Sequence, residues 1–302
     1  MNTINGIINI KKEKGFTSHD VVAKLRGILR MKKIGHTGTL DPDATGVLPV
    51  CIGKATKVCD LLTDKDKTYV ARVKLGITTD TLDLTGKVLS QQDVSVTEER
   101  IMEVASSFIG EIEQIPPMYS AIKVNGKKLY ELARQGKEVE RKPRKVTIYD
   151  LKIVDISLED NEFTMEVSCS KGTYIRTLCQ DMGEKLGCGA SMKNLVRTKV
   201  GRFTLEEGYT LEEIQHMVEE EKLAQVLLPI ADVFDQLRNC NVSEQGMKFL
   251  KNGNKVKTSL CSLKDVKDKE QVCMYGTDGS FYAIYQYAKS DQMYHIVKMF
   301  HE

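Results

Sequence analysis

The chain has 302 residues, of which 41% are hydrophobic, and a formal net charge of +2, so it can form one large domain or two smaller ones, and its overall charge does not indicate a nucleic-acid partner. The eight cysteines contain no C-x-x-C pair and the five histidines no H-E-x-x-H motif, so we expect no metal site. The first residues lack the pattern of a signal peptide and no apolar run reaches about 18 residues, so we expect a cytoplasmic protein with reduced thiols and no membrane span.

A strand followed by an amphipathic helix is predicted at the start of the chain. Residues 6–10 are apolar, and Thr17 or Ser18 can cap the helix that follows. Apolar residues recur within 21–29 at the spacing of one buried helical face. Basic residues are concentrated towards the end of this helix, which suits its dipole. They also place positive charge immediately before the segment that begins at Gly35.

Residues 35–46, GHTGTLDPDATG, contain too many turn-forming residues for a helix or a strand, so a loop is predicted. Pro42 disfavours the α conformation at Asp41, which is therefore held extended on a stiff turn. The composition alone leaves two interpretations open, a surface turn or a functional loop.

An apolar strand is predicted over residues 47–52, and a helix beginning at Gly53 follows it. Residues 53–56, GKAT, resemble the end of a P-loop but have alanine in the Ser/Thr position, so we reject a phosphate-binding loop. Residues 67–75 alternate between apolar and polar side chains, which predicts a half-buried strand with Tyr69 on its apolar face. The pattern alone favours a core-packing role for Tyr69.

A basic segment follows a predicted helix over residues 97–109 and an extended stretch over 115–119. Residues 123–145 carry nine basic and three acidic side chains, and nine minus three gives a net charge of +6. Such a segment is either a solvated face or a binding surface for phosphates.

Two strands over residues 146–158 and 163–169 lead through a glycine turn into a helix closed by Gly187. Thr173 can cap this helix. The succession of a strand, a tight turn and a helix N-terminus is a common site for an anion or a carboxylate. Tyr174 and Arg176 lie in the first turn. Arg176 is off the apolar stripe, so the pattern alone predicts a solvated arginine.

The last part of the chain reads as a small, mostly β unit. Short strands are predicted at 193–198 and 201–205, and residues 206–235 carry nine acids against the single base Lys222, which marks the best candidate boundary. Beyond it we predict a short helix over 243–252, a hairpin over 272–285 and a strand over 294–300.

Five segments together resemble the TruB family of tRNA pseudouridine synthases. They are residues 15–18 (GFTS), 35–49 (GHTGTLDPDATGVLP), 67–69 (KTY), 114–121 (QIPPMYSA) and 169–176 (CSKGTYIR). The resemblance covers residues 5 to about 235, and the tail is similar to the PUA-type RNA-binding domain of bacterial members. One departure is Lys12-Glu13 where the family commonly has Lys-Pro, which leaves the first turn less rigid.

The resemblance implies an α+β fold with a central mixed, largely antiparallel sheet, whereas the strand and helix patterns alone support only α+β. It implies a catalytic domain over 1–235, with an RNA-clamping insertion at about 116–146, and a PUA-like domain over 240–302. The implied activity is isomerisation of the uridine at position 55, in the T-loop of tRNA, to pseudouridine. We expect no cofactor, no obligatory protein partner and a monomer bound to the T stem-loop.

The resemblance also assigns roles to individual residues. Asp41 matches the catalytic aspartate, Arg176 matches its arginine partner, and Tyr69 matches the tyrosine that stacks on the target base. His36 matches the histidine that helps to take the base out of its loop. The remaining residues predicted to bind the substrate are Tyr174 and Leu195, which line the base pocket, together with Lys12 and Lys57.

Two other functions compete with this one. Residues 41–45 also fit D-x-D-x-T, the phosphoaspartyl motif of haloacid-dehalogenase-type phosphatases, but that motif follows a buried apolar strand and here only Leu40 is apolar. A non-enzymatic RNA-binding protein would use the basic segment and the tail alone, and it would not need Asp41, Tyr69 and Arg176 together. The sequence leaves open whether the carboxylate attacks the base, attacks C1′ or removes a sugar proton.

Overall fold

The computed structural model describes residues 4–124 and 126–300. Strands from the first part of this range form one large sheet and two short ribbons. They are β1 (Gly6–Lys12), β2 (Ile34–His36), β3 (Thr45–Ile52), β4 (Lys67–Leu75), β5 (Ile77–Thr79), β6 (Val88–Gln91), β7 (Gly110–Gln114), β8 (Lys123–Val124), β9 (Lys127–Lys128), β10 (Arg144–Ser157), β11 (Glu162–Cys169), β12 (Ala190–Val200) and β13 (Phe203–Thr204).

A second, smaller sheet and the helices complete the fold. The strands of the second sheet are β14 (Arg238–Asn241), β15 (Val256–Lys257), β16 (Gln271–Tyr275), β17 (Phe281–Ala288) and β18 (Met293–Met299). The helices are α1 (Ser18–Leu29), α2 (Cys59–Thr63), α3 (Glu98–Ser106), α4 (Leu129–Ala133), α5 (Ile175–Leu186), α6 (Leu211–Glu219) and α7 (Glu244–Lys251). None of the helices within the described ranges is long and apolar enough to cross a bilayer.

The large sheet is mixed and mostly antiparallel, as predicted. Its main path runs β1-β3-β12-β4-β11-β10-β7, with β2 beside β3 and β13 beside β12. The pair β3 and β12 is parallel, whereas β1 with β3, β12 with β4 and β4 with β11 are antiparallel. The parallel pair brings Gly46 opposite Arg197, at the point where β3 leaves the glycine-rich loop.

Helices pack against the faces of the sheet from which apolar side chains project. The alternation in β4 buries Tyr69, Ala71 and Val73 in one cluster with apolar residues of α3 and α5. A second cluster joins β1 and β3 to α1 and α6. Burial of these apolar faces is the main stabilising contribution, and it fixes the start of α5 beside β4 and β12.

The C-terminal sheet has the order β14-β16-β17-β18-β15, which confirms the predicted mostly β tail and its hairpin. Phe234, Phe281 and Phe300 pack together, and the same cluster contains Ile7 and Val47 of the large sheet. The two sheets therefore share one hydrophobic contact surface. The division into domains at 1–235 and 240–302 stays a prediction.

Some element boundaries differ from the predictions. The predicted loop over 35–46 is shorter, because its first two residues belong to β2 and its last two to β3. The strand predicted at 193–198 is longer and forms β12, whereas the strand predicted at 201–205 is shorter and forms β13. Two register shifts within β12 interrupt the alternation that would have revealed it. Thr173 does not cap α5, because its hydroxyl donates to the Ser170 carbonyl.

Two helical glycines make opposite contributions to this packing. A Cβ at Gly183 of α5 would lie 2.2 Å from the Ala190 nitrogen, whereas a Cβ at Gly27 of α1 would meet no atom within 4 Å. The Gly183→Ala substitution is expected to lower the free energy of unfolding by roughly 1–3 kcal/mol, because α5 must move away from β12.

The matched change Gly27→Ala is expected to raise the free energy of unfolding by roughly 0.5–1 kcal/mol, because alanine is the better helix former at an open position. Urea denaturation followed by circular dichroism measures both changes. Equal effects of the two substitutions would contradict the close approach of α5 to β12.

Candidate active site

The glycine-rich loop between β2 and β3 is held from both sides. The Thr37 side chain is fully buried, and its nitrogen and hydroxyl both donate to the Pro49 carbonyl at 3.1 Å. The Leu40 nitrogen donates to the Ser18 hydroxyl at 2.9 Å, which ties the loop to the first turn of α1. These bonds fix the backbone immediately before Asp41.

Lys12 anchors the other side of the loop. Its side chain is 1% exposed, and its ammonium donates to the carbonyls of Glu13, Phe16 and Pro42 at 3.0, 2.6 and 3.0 Å. Burial lowers the pKa of Lys12 to about 8, and the nearby Asp41 charge opposes part of that fall. The Glu13 carbonyl takes part directly, so the Lys-Glu departure leaves this bond in place.

Asp41 forms a two-point ion pair with Arg176 of α5. Arg176 Nε lies 3.0 Å from Asp41 Oδ2, and Nη2 donates to Oδ1 at 3.3 Å. The guanidinium also donates to the Thr81 carbonyl at 3.0 Å and to the Tyr119 carbonyl at 2.8 Å. The Arg176 side chain is 7% exposed, so the solvated arginine expected from its pattern is wrong. Its partners come from three other segments, which no local pattern reveals.

The Asp41 carboxylate has an unusual electrostatic environment. Burial raises its pKa, the Arg176 guanidinium opposes that rise, and the neighbouring Asp83 carboxylate adds to it. The Asp41 side chain is still 39% exposed, so it remains reachable from outside. The sequence predictions missed Asp83. It forms a turn with Thr81 and Thr85, through bonds of 2.7 and 3.0 Å, and the composition of that stretch predicts only a loop.

Tyr69 and Leu195 lie on the sheet next to the Asp41 loop. Both are buried, on the neighbouring strands β4 and β12, and both belong to the cluster that contains Leu40. Tyr174 immediately precedes α5, where its backbone exchanges two hydrogen bonds with the Gln114 amide. Burial raises the pKa of both tyrosine hydroxyls, and the Asp41 charge adds to both rises. The structure thus brings five predicted residues together, namely Asp41, Tyr69, Tyr174, Arg176 and Leu195.

His36 stands at the other end of the loop. Its Nδ1 accepts a hydrogen bond from the Gly38 nitrogen at 3.3 Å, and its ring meets that of His19 edge-on at 5.3 Å. Burial lowers the pKa of His36, and the charges of His19 and Arg197 lower it further. The imidazole is therefore neutral at neutral pH.

The Lys57 side chain makes no described contact with the residues grouped around Asp41. It lies in the 3₁₀ helix Gly53–Val58 that follows β3. Across residues 4–124 and 126–300, its ammonium has no hydrogen bond or ion pair. The same ranges contain no cluster of three or more His, Cys, Asp or Glu side chains suited to a metal ion.

The basic segment begins beside the ion pair. The Tyr119 carbonyl, just before the segment, accepts from Arg176, and Arg141 near its end donates to the Pro116 carbonyl at 3.1 Å. Between these anchors the segment is mostly exposed, including Lys123, Lys127 and Lys137. A positively charged surface therefore extends outward from the edge of the site.

Family models match most of the chain. The model described as TruB family pseudouridylate synthase (N terminal domain) matches residues 26–175, and that of the tRNA pseudouridylate synthase B C-terminal domain matches residues 176–235. The tRNA pseudouridine synthase B of Lachnoclostridium phytofermentans is 54% identical and covers 98% of this chain and 100% of its own length. That of Clostridium perfringens is 48% identical over 92% of this chain and 93% of its own length.

Solved structures of the same fold include Cbf5 proteins. The crystal structure of a Cbf5-Nop10-Gar1 complex matches with a TM-score of 0.73 and 27% identity, over 98% of this chain and 84% of that chain. The archaeal box H/ACA sRNP Nop10-Cbf5 complex matches with a TM-score of 0.70 and 25% identity, over 98% and 86% of the two chains. The large sheet and the C-terminal sheet are both within the matched length.

The ion pair makes a prediction about titration. In Arg176→Met the pKa of the Asp41 carboxyl is expected to rise further, because the charge that favours its ionised form is removed. A carbon-13 NMR titration of selectively labelled aspartate measures this pKa. Arg176→Lys, which keeps a cation, serves as the control and should give a smaller rise. An unchanged pKa in Arg176→Met would contradict the electrostatic role of the pair.

Proposed function

The chain belongs to the TruB family of pseudouridylate synthases, and we propose that it isomerises the uridine at position 55, in the T-loop of tRNA, with Asp41 as the catalytic carboxylate. The observation that carries the assignment of Asp41 is its two-point ion pair with the buried Arg176 guanidinium. The reaction breaks the N1–C1′ bond and forms a C5–C1′ bond in the same nucleotide. N1 gains a proton and C5 loses one, so the atoms balance without an oxidant or a group donor.

Arg176 supports this chemistry by keeping Asp41 ionised and oriented. Burial and the Asp83 charge raise the pKa of the Asp41 carboxyl, and a protonated carboxyl could act neither as a nucleophile nor as a base. The Arg176 guanidinium opposes this rise in pKa and contacts both carboxylate oxygens. Its hydrogen bonds to the Thr81 and Tyr119 carbonyls keep it in place when substrate binds. The exposed part of the Asp41 side chain is then free to meet the nucleotide.

The target base must leave its stack to reach Asp41, at a cost of a few kcal/mol. We propose that the face of Tyr69 stacks on the extruded base and recovers roughly 1–3 kcal/mol of that cost. Leu195 and Tyr174 line the remaining walls of the pocket. Since burial raises the pKa of both tyrosine hydroxyls, the rings stay neutral and add no charge that would compete with Asp41.

His36 supplies a neutral ring at the mouth of the site. We propose that it enters the space left by the extruded base, where an uncharged imidazole can contact the remaining bases without the desolvation cost of a cation. Lys57, which has no partner among the described residues, is proposed to bind the RNA backbone. Lys12 would act on the substrate only indirectly, through the loop backbone that it holds.

The basic segment within about 116–146 and the PUA-like region over 240–302 are proposed to clamp the T stem-loop. Their role is affinity for the RNA, whereas Asp41 and its neighbours perform the chemistry. Both Cbf5 structures contain Nop10, and one of them also contains Gar1. For this chain we propose action as a cytoplasmic monomer without an obligatory protein partner.

Replacing the carboxylate tests the assignment of Asp41. With a tRNA transcript tritiated at uridine C5, Asp41→Asn should release tritium roughly 10²–10⁴-fold more slowly than wild type, while still binding the transcript. Asp43→Asn is the matched control, because Asp43 lies in the same loop but is exposed and pairs only weakly with Lys14 at 3.9 Å. Equal release by wild type and Asp41→Asn would exclude Asp41 as the catalytic group.

Removing charge from the basic segment tests its role as a clamp. Replacement of Lys123, Lys127 and Lys137 by alanine is expected to weaken tRNA binding and to flatten its salt dependence, with the slope falling by about 0.7–0.9 for each phosphate that is no longer neutralised. Filter binding at several salt concentrations measures the slope. Lys222→Ala, an exposed lysine in the acidic stretch, should leave it unchanged. An unaltered slope in the triple variant would argue that this surface is only a solvated face.

A further inference from the structure

Arg197 of β12 is fully buried, although it carries a positive charge. Its side chain is 1% exposed, and its guanidinium donates to three backbone carbonyls. Nε donates to Val47 at 2.8 Å, Nη1 to Thr39 at 3.4 Å and Nη2 to Gly38 at 3.2 Å. Gly38 and Thr39 precede Asp41 in the loop and Val47 follows it, so one guanidinium bridges both arms of the Asp41 loop.

The backbone of Arg197 also contacts the loop. Gly46 pairs with Arg197 across the parallel strands, and a Cβ at Gly46 would lie 2.2 Å from the Arg197 carbonyl oxygen. Gly46 also has φ +108, which disfavours any other residue. The second arm of the loop therefore rests directly on the residue whose side chain holds the first arm.

No carboxylate among residues 4–124 and 126–300 forms an ion pair with Arg197. Burying an arginine without a counter-charge is costly unless its N–H groups are satisfied, and here each of the three guanidinium nitrogens donates to a backbone carbonyl. Arg197 also lies directly opposite Tyr69 on β4, and its guanidinium opposes part of the rise that burial causes in the pKa of the Tyr69 hydroxyl. One buried side chain thus contacts the Asp41 loop and neighbours the tyrosine of the base pocket.

We propose that Arg197 is a positioning residue that fixes the Asp41 loop relative to Tyr69. This inference rests on the proposed function, in which Asp41 performs the chemistry and Tyr69 holds the base. Since Arg197 is buried, it acts without touching the RNA. Its planar fork of donors sets the separation between the loop and the tyrosine, so the extruded base meets Asp41 at a defined distance.

A lysine at this position would keep the charge but lose the fork, because an ammonium is a point donor on a flexible stem. The expected consequence is a misplaced loop, whereas the RNA-binding surface stays intact. Displacements of about 1 Å can slow catalysis by roughly 100-fold. Arg197→Lys should therefore lower kcat by roughly 10- to 100-fold while changing the Kd for tRNA less than about threefold.

The experiment measures kcat from tritium release at saturating tRNA, and Kd from filter binding, for wild type, Arg197→Lys and two controls. Arg72→Lys makes the same exchange on the neighbouring strand, at an arginine paired with Glu162 at 2.6 Å outside the loop. Leu151→Ala removes buried side-chain atoms from β10, two strands away from β4, so this destabilised variant separates reduced stability from impaired positioning. Both controls should keep the wild-type kcat at a temperature where circular dichroism shows them folded.

A double-mutant cycle tests the link to Tyr69. If Arg197 acts through the placement of Tyr69, the effects on kcat of Arg197→Lys and of Tyr69→Leu, which removes the stacking ring, should be less than additive. Should Arg197→Lys fail to fold, Arg197→Gln takes its place, since its planar amide keeps two donors. Failure of both to fold would overturn the proposal in favour of a purely structural role.

The remaining outcomes separate this inference from the proposed function. Absence of tritium release by wild type would overturn both. Release by wild type with an equal kcat in Arg197→Lys would overturn only the positioning role. A loss of tRNA binding in Arg197→Lys, with kcat intact at saturation, would also overturn it, because Arg197 would then shape the RNA surface and not the site.

Discussion

The site depends on a single ion pair between residues that are 135 positions apart, Asp41 in a loop and Arg176 in the first turn of a helix. The pair needs the large sheet, because the loop leads from β2 into β3 and the helix packs over β4 and β12. It also needs rigid supports on both sides. Lys12 and Ser18 hold the loop, while the carbonyls of Thr81 and Tyr119 hold the guanidinium. A carboxylate with a fixed counter-charge and one exposed side follows from these constraints.

Buried cations surround this carboxylate, and backbone carbonyls satisfy most of their hydrogen bonds. The Lys12 ammonium and the Arg197 guanidinium both bind the loop backbone, one near its middle and one across its two arms. The Arg197 charge lowers the pKa of both Lys12 and His36, and His36 stays neutral partly for this reason. Two buried cationic side chains therefore help to fix the backbone of the loop. Exposed positive charge is instead concentrated on the basic segment over residues 123–145.

The sequence predicted what local patterns can encode. The alternation over residues 67–75 matches β4 and correctly buries Tyr69, and the fold class that the TruB resemblance implies is confirmed by the likeness to Cbf5. The pattern alone misplaced Arg176, because its burial depends on partners from distant segments. Asp83 was missed for the same reason. Only the resemblance gathered Asp41, Tyr69 and Arg176 into one group, and it also included Lys57, which no described contact joins to them.

Mapping the product on an unmodified tRNA transcript tests the account most directly. Purified protein would be incubated with the transcript without added cofactor, and carbodiimide treatment with primer extension would then locate each pseudouridine. The account predicts one new stop, assigned to the uridine of position 55 in the T-loop, because the proposed clamp holds the T stem-loop against the site. A stop at another position, or none in a transcript that the protein binds, would contradict it.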